Sequence, residues 1–225
     1  MIISDDKKFV FLHNPKAAGT TVRFALKNYD SYEGKFWRNH VEELDRHSDM
    51  AHLSVSSIKK YFPEEYKKID TYFSFGFVRH PIHRFFSGFN ETHKPLWKSL
   101  ELEAGFLDEY KKVLLAYTKR QLATRNEEGL FTHVKRQKTI YYDNDKCIAD
   151  VVINIEEWKD KIYLLKNHLD TEVASVVIKA MDGKPRNKKQ INYKPTDILD
   201  TDILNQLVDY YSDDYEAFGY EKNYY

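Results

Sequence analysis

The segment Phe9-Val-Phe-Leu-His-Asn-Pro-Lys-Ala-Ala-Gly-Thr-Thr21 constrains the fold of this chain more than any other. An apolar run ends in a turn that carries a lysine, a glycine and two hydroxyls, and a helix-like segment comes next. That order predicts a strand, a phosphate-cradling loop and a helix N-terminus, where backbone N–H groups and the helix dipole attract an anion. Lys16 adds a compact cation, Thr20 and Thr21 add hydroxyl donors at the first helical turn, and Gly19 lets the backbone approach a phosphate closely. A Walker A loop reads GxxxxGK[ST], with its lysine directly after the second glycine. Here Lys16 comes three residues before Gly19, so a nucleoside triphosphate fits this loop poorly.

A second segment repeats the pattern. Phe73-Ser-Phe-Gly-Phe-Val-Arg-His-Pro-Ile-His-Arg-Phe-Phe-Ser-Gly-Phe89 reads as a buried strand, a break at Pro81 and a helix. The strand is aromatic and β-branched, as a central parallel strand should be, and proline suits the first turn of the helix after it. Arg79 then falls at the C-terminal end of the strand, where open α/β sheets place ligand groups. Ser87 lies two turns into the helix.

The first segment resembles the 5′-phosphosulfate loop of the sulfotransferases, above all the carbohydrate (heparan/chondroitin) type, which reads HIPKTAGTS. The second resembles their 3′-phosphate motif, FVRxPxxRxxSxF. The resemblance implies adenosine 3′-phosphate 5′-phosphosulfate (PAPS) as donor and the bisphosphate PAP as product. Lys16, Ala18, Gly19, Thr20 and Thr21 would hold the 5′ side, and Arg79 and Ser87 the 3′-phosphate, an arginine fork being suited to a dianion. Arg84 belongs to the same pattern and either touches the ligand or braces its helix against a loop. Later stretches keep the family's order: Phe131 to Gln137 resembles HfxxQ, Val151 to Glu156 a strand ending in glutamate, Arg186-Asn187 a late HxN element, and Asp213 to Tyr220 a terminal DYexFGY.

Length and charge bound the alternatives. At 225 residues one α/β domain over 1–225 is expected. Lys+Arg and Asp+Glu are both 35, so bulk attraction to nucleic acid or membrane is not implied and any anion site must be local. A single cysteine, Cys147, rules out an intrachain disulfide and reads as a small buried hydrophobe in a reducing compartment. The start, Met1 to Lys8, is too short and charged for a signal peptide or anchor. Animal members of the resembled family carry a membrane helix there, so a cytoplasmic protein is expected instead. The 17 Tyr and 14 Phe read mostly as core packing.

Along the chain, strands are expected at 8–13, 71–79 and Cys147 to Ile155. Helices are expected at 20–28, Ser54 to Phe62 with a further turn opened by Pro63, 81–93, Leu100 to Leu122, Trp158 to Leu169, Val173 to Met181 (ended by Asp182-Gly183) and Asp197 to Tyr211. Residues 29–50 read as an irregular insertion, Asn126 to Thr132 as a loop, 184–194 as a basic loop, and the C-terminus as an acidic, aromatic tail. Strands alternating with helices predict a three-layer α/β fold with a mostly parallel central sheet and a P-loop-like phosphosulfate-binding loop.

Sulfuryl transfer to an alcohol needs in-line alignment, charge stabilisation and a base for the acceptor proton. Lys16 could stabilise charge on the bridging oxygen. His52, between the two motifs and just before a helix, is the preferred base by resemblance to carbohydrate sulfotransferases, with His40 and His47 in reserve. His13 is expected to shape the loop and His133 to orient donor or acceptor; His80 and His83 could face either way. Basic residues at Lys135, Arg136 and Lys138, and at Lys184, Arg186, Lys188, Lys189 and Lys194, are either a solvated surface or a rim for an anionic glycan. HExxH, CxxC and GxSxG are absent, so neither a metal site nor a serine hydrolase is indicated. The expected activity is PAPS-dependent sulfuryl transfer to a hydroxyl acceptor, most naturally a carbohydrate, without a required metal. The competing readings are a small-molecule kinase of the P-loop type, for which no Walker B aspartate is found, and a non-catalytic nucleotide-binding module.

Overall fold

Four strands build the central sheet of the protein, seen here in a computed structural model: β1 (Ile2–Ser4), β2 (Phe9–Leu12), β3 (Phe73–Val78) and β4 (Val151–Asn154), adjacent in that order. The structure describes residues 1–37, 40–41, 46–47, 50–96, 105–124, 132–183 and 194–223. The helices used below are α1 (Gly19–Leu26), α2 (Val55–Tyr61), α3 (Pro63–Thr71), α4 (Pro81–Thr92), α5 (Phe106–Ala123), α6 (Lys138–Tyr141), α7 (Thr171–Asp182), α8 (Thr201–Tyr210) and α9 (Ser212–Phe218). The chain forms two compact units, Met1–Arg79 with Gln137–Lys188 and His80–Arg136 with Lys189–Tyr225.

The first unit is mixed α/β. β1 runs antiparallel to β2, whereas β2 pairs parallel with β3 (Leu12 opposite Gly76) and β3 parallel with β4 (Val78 opposite Asn154). Because strand side chains alternate between faces, Phe9, Phe11, Phe75, Phe77 and Ile153 share one side. They merge there with Val22 and Leu26 of α1 and with Val173, Ala174 and Val177 of α7. Burying each such side chain is worth about 1.5–3 kcal/mol, so this face supplies much of the unit's stability. On the opposite side α3 packs against β2 and β3. There Gly76 leaves room for the Tyr141 ring, whose hydroxyl donates to the Phe77 carbonyl at 2.8 Å.

The second unit is helical. α4, α5, α8 and α9 surround Phe85, Phe89, Tyr110, Leu114, Tyr117, Leu207, Tyr211 and Tyr215. The Tyr211 hydroxyl donates to the Val134 carbonyl at 2.6 Å, and that of Tyr110 to Asn90 at 3.0 Å. These two tyrosines are thus core residues with a satisfied polar tip; Tyr117, Tyr141 and Tyr215 are buried as well, and the other described tyrosines are partly or fully exposed.

Several boundaries differ from the sequence reading. β1 was not expected, since the charged turn Asp5 to Lys8 hides a hairpin. Pro63 opens a helix of nine residues rather than a single turn. The strand expected from Cys147 to Ile155 begins only at Val151. The Asp150 carboxylate accepts from both the backbone N–H (2.8 Å) and hydroxyl (3.0 Å) of Ser74, taking a position a strand ladder would use. Lys146–Cys147 pairs instead with Tyr142–Asp143, and Cys147 is half-buried. The helix expected from Trp158 to Leu169 breaks into Trp158–Lys161 and Tyr163–Lys166. At the break Leu165 N donates to Ile162 O, a three-residue step that accompanies burial of Leu165. Gly183 ends α7 in extended backbone (φ −69°, ψ 167°), not in a left-handed cap. The tail contains α9, and the expected last helix starts at Thr201, capped by the Asp200 carboxylate accepting from Ile203 N. The N-terminal part of the helix expected from Leu100, the loop at 125–131 and the basic loop at 184–193 lie outside the described residues. Among the described residues no helix is long and apolar enough to cross a membrane.

The packing and burial of two residues lead to measurable outcomes. A Cβ on Gly76 would stand 2.5 Å from the Tyr141 ring and 2.9 Å from the Leu12 carbonyl. Gly76→Ala should therefore destabilise by about 2 kcal/mol, read as a fall in Tm of roughly 4–8 °C for a chain this size. Separately, burial pushes the Tyr117 phenol up to about 12. The fold keeps that proton where the unfolded chain loses it, so the contribution is whole below about pH 10 and disappears between about pH 10 and 12. Tyr117→Phe should flatten that alkaline decline in urea midpoints; an unchanged slope would remove Tyr117 as its source.

Candidate functional site

β2 ends at Leu12, and the loop from His13 to Ala18 carries the chain into α1. His13, Asn14 and Ala17 are buried, while Lys16 and Ala18 are partly exposed. Lys16 (φ 64°) and Ala18 (φ 60°) both adopt left-handed backbone, which costs a non-glycine residue about 1–2 kcal/mol. Ala18 stands at the N-cap with no side-chain cap, and the first helical bond runs from Val22 N to Ala18 O at 3.2 Å. The N–H groups of Gly19, Thr20 and Thr21 therefore have no acceptor within their own helix. No acidic residue lies in that first turn. Gly19 is required by packing: a Cβ there would stand 1.9 Å from His13 Cδ2 and 2.8 Å from the Asn14 carbonyl. The helix end sits directly on the His13 imidazole.

The register of β2 with β3 brings the end of β3 to the same edge of the sheet. Arg79 comes after Val78 there and is half-buried. Gln137, fully buried at the start of α6, brackets the Arg79 peptide unit. Its Oε1 accepts from Arg79 N at 3.0 Å and its Nε2 donates to Arg79 O at 2.8 Å. The same Oε1 accepts from Asn14 Nδ2 at 2.7 Å, and that amide also donates to the Phe77 carbonyl at 3.0 Å. One side chain thus ties the Lys16 loop to the Arg79 strand end.

His52 closes a short turn (Met50–His52) and is half-buried. Its ring lies edge-on to that of His13, centroids 4.4 Å apart, and its Nδ1 is 3.4 Å from the His13 carbonyl. A carbonyl can only accept, so this contact selects the tautomer with the proton on Nδ1 and the lone pair on Nε2.

The first unit therefore gathers Lys16, Ala18, Gly19, Thr20, Thr21, His52 and Arg79 around one sheet edge. Ser87 belongs to the second unit, buried on α4. Arg84, on the same helix, is fully buried and donates from Nη1 to the Lys135 carbonyl at 2.6 Å. His80 Nε2 lies 3.1 Å from Asn223 Oδ1, and its ring meets the edges of Tyr215 and Tyr220 at 5.5 Å each. The terminal motif thus has a packing role. His83 lies beside His80 at 4.8 Å, and His133 lies in the turn Thr132–Val134. Arg136 pairs with Asp213 at 2.6 Å and Lys138 with Asp145 at 3.7 Å, so these two cations have local carboxylate partners. The side chains of His40 and His47, and residues Lys184, Arg186, Lys188 and Lys189, lie outside the described residues. Among the described residues no group of three His, Cys, Asp or Glu is arranged to hold a metal ion.

Asn14 and Gln137 are site residues that sequence reasoning misses. Gln137 stands at the end of the HfxxQ-like stretch and Asn14 inside the loop motif, but neither titrates, and only the fold reveals that they meet.

A family model described as the sulfotransferase family matches residues 1–221, across both units. No curated protein and no solved structure matches the chain.

Gln137→Ala would remove the partner of Arg79 N and of Arg79 O, both part-buried, and one of the two acceptors of Asn14 Nδ2, and it would leave a cavity where the buried amide was; a buried group left unsatisfied costs about 1–3 kcal/mol. Denaturant unfolding should register a loss of about 3 kcal/mol or more. A loss below about 1 kcal/mol would mean that water replaces the amide and that the clamp is not structural.

Proposed function

Because the chain belongs to the sulfotransferase family, we propose that it transfers a sulfuryl group from PAPS to an acceptor hydroxyl of a carbohydrate, by in-line displacement with His52 as base. The observation that carries this reading is the Gln137 tie, which holds a donor-rich loop and an arginine-bearing strand end at one edge of a parallel sheet. The resemblance of the two motifs and the family match support the donor class, and the match over 1–221 supports a single sulfotransferase domain with a three-layer core.

The residues fit a bisphosphorylated donor. Around the loop stand three N–H groups outside the helix ladder, two threonine hydroxyls and Lys16, with no acid in the first turn. Lys16, Ala18, Gly19, Thr20 and Thr21 would hold the 5′-phosphosulfate in a P-loop-like cradle, and Arg79 the 3′-phosphate, to which the motif resemblance also assigns Ser87. The donor supplies an activated sulfur. His52 Nε2 receives the acceptor hydroxyl proton as the acceptor oxygen bonds to sulfur, and Lys16 neutralises the charge that grows on the departing phosphate oxygen. The sulfuryl group carries less charge than a phosphoryl group, so the reading requires no metal. A cytoplasmic location belongs to the same proposal and suits a chain with one cysteine.

Calorimetry with PAP, and radiolabelled-sulfate transfer from PAPS to oligosaccharides, small alcohols and phenols, test the proposal. PAP should bind without magnesium. Lys16→Ala should lower turnover on the order of a hundredfold or more. His52→Ala should lower kcat with PAP affinity unchanged. Preference for magnesium–ATP over PAP would favour a kinase; PAP binding without transfer to any acceptor would leave a nucleotide-binding module.

A further inference from the structure

An aromatic surface adjoins the His13–His52 pair and lies outside the residues assigned to the donor. The turn Lys35–Trp37 is anchored by Phe36, which is fully buried and packs edge-on to Phe62 at 5.4 Å and against Tyr32 at 5.8 Å. With Phe36 turned inward, the next residue projects outward: Trp37 is 42 % exposed. Phe24 is 41 % exposed and meets the indole at 6.4 Å with planes at 72°. On α1, Phe24 lies three residues after Thr21 and four after Thr20, so it shares their helical face.

Two buried side chains pack on the indole. The Arg23 guanidinium lies 4.7 Å from its centroid, and His13 is parallel to it (7°) at 5.8 Å. Both partners are buried. Arg23 is itself fixed by donating to the Met1 carbonyl at 2.6 Å and pairing with Asp30 at 3.7 Å. A rigid, preorganised surface gives up little entropy when a ligand lands on it. His13 also touches the Gly19 backbone and the His52 ring. One imidazole therefore connects the exposed indole, the candidate base and the helix end of the candidate donor site.

We propose that Trp37 and Phe24 seat the acceptor: a pyranose lays its C–H face on the indole, against the Phe24 edge, with its reacting hydroxyl toward His52. The inference rests on the sulfotransferase reading and adds to it the residues that seat the carbohydrate acceptor. The two exposed rings meet at 72°, so they form no parallel slot of the kind that the flat faces of a phenol favour, whereas a sugar chair needs only one exposed ring to stack on. An acyclic alcohol has no face to stack.

The test uses the full chain loaded with PAP, with a uronic-acid tetrasaccharide, cellotetraose and 4-nitrophenol as probes, in wild type, Trp37→Ala and Trp37→Tyr. By calorimetry at least one tetrasaccharide should bind wild type, and Trp37→Ala should bind it about tenfold more weakly. Trp37→Tyr should restore most of the affinity, and PAP affinity should be equal in all three. In turnover with that sugar, Trp37→Ala should raise KM with kcat kept within about threefold. Binding of neither tetrasaccharide, sugar affinity indifferent to Trp37→Ala, or binding of 4-nitrophenol alone would overturn the proposal. Sugar binding through Trp37 in a wild type that fails to bind PAP would sink the sulfotransferase reading and leave the platform standing.

Discussion

Parallel strands β2 and β3 leave the sheet at the same edge, and beyond that edge no strand pairing holds the loop after β2 to the turn after β3. Anything built there must be fixed by side chains. Gln137 does this with one amide, whose oxygen takes N–H groups from both Asn14 and Arg79 while its nitrogen returns a bond to the Arg79 carbonyl. The bond to Asn14 is buried and the two to Arg79 are part-buried, so the first is the most shielded from water and the costliest to break. Gln137 is also where the chain re-enters the first unit, and Arg79 is where it leaves.

The loop that this clamp steadies is strained. Two non-glycine residues, Lys16 and Ala18, lie in left-handed backbone within one turn. Such conformations persist where the surroundings over-determine them, and here the surroundings are explicit. Ala17 is buried between them in the aromatic face of the sheet, Asn14 is tied to β3, and Gly19 rests on the His13 ring. The strained turn leads into three helix N–H groups and two threonines at one end of α1, with Lys16 in the same loop. A relaxed turn of the same length would have no reason to present them together, so the sheet's packing energy is what sustains the loop.

The legible parts of this fold are those in which a single period or a single break dominates. Phe9–Leu12 and Phe73–Val78 are continuous apolar runs ended by Pro15 and Pro81, and their parallel pairing is the natural result of the helices between them. The loop chemistry can be read because Lys16, Gly19, Thr20 and Thr21 are neighbours in sequence. The features that escape are non-local. β1 is three residues long and gains its meaning only by pairing with β2. The start of β4 depends on Asp150 reaching the Ser74 N–H, a contact between residues far apart in the chain. Gln137 and Asn14 carry no charge and match no periodic pattern, so their importance emerges only when two strand ends and a helix start converge.

The motif residues divide by physical role once their partners are known. In the second motif, Arg84 is spent on a backbone carbonyl, and His80 packs against Tyr215 and Tyr220 of the terminal motif. Sequence likeness at these positions therefore reflects the packing of a helical unit as much as contact with a nucleotide. In the first motif the apportionment is reversed. Asn14 and His13 are buried and structural, and they release Lys16 and the two threonines to face outward. His13 carries the most: removing its ring would unseat Gly19, leave the His52 edge without its neighbour and take away one support of Trp37. A buried residue can thus set the geometry of the Lys16 loop, of His52 and of the surface beside them, because all three lean on one imidazole.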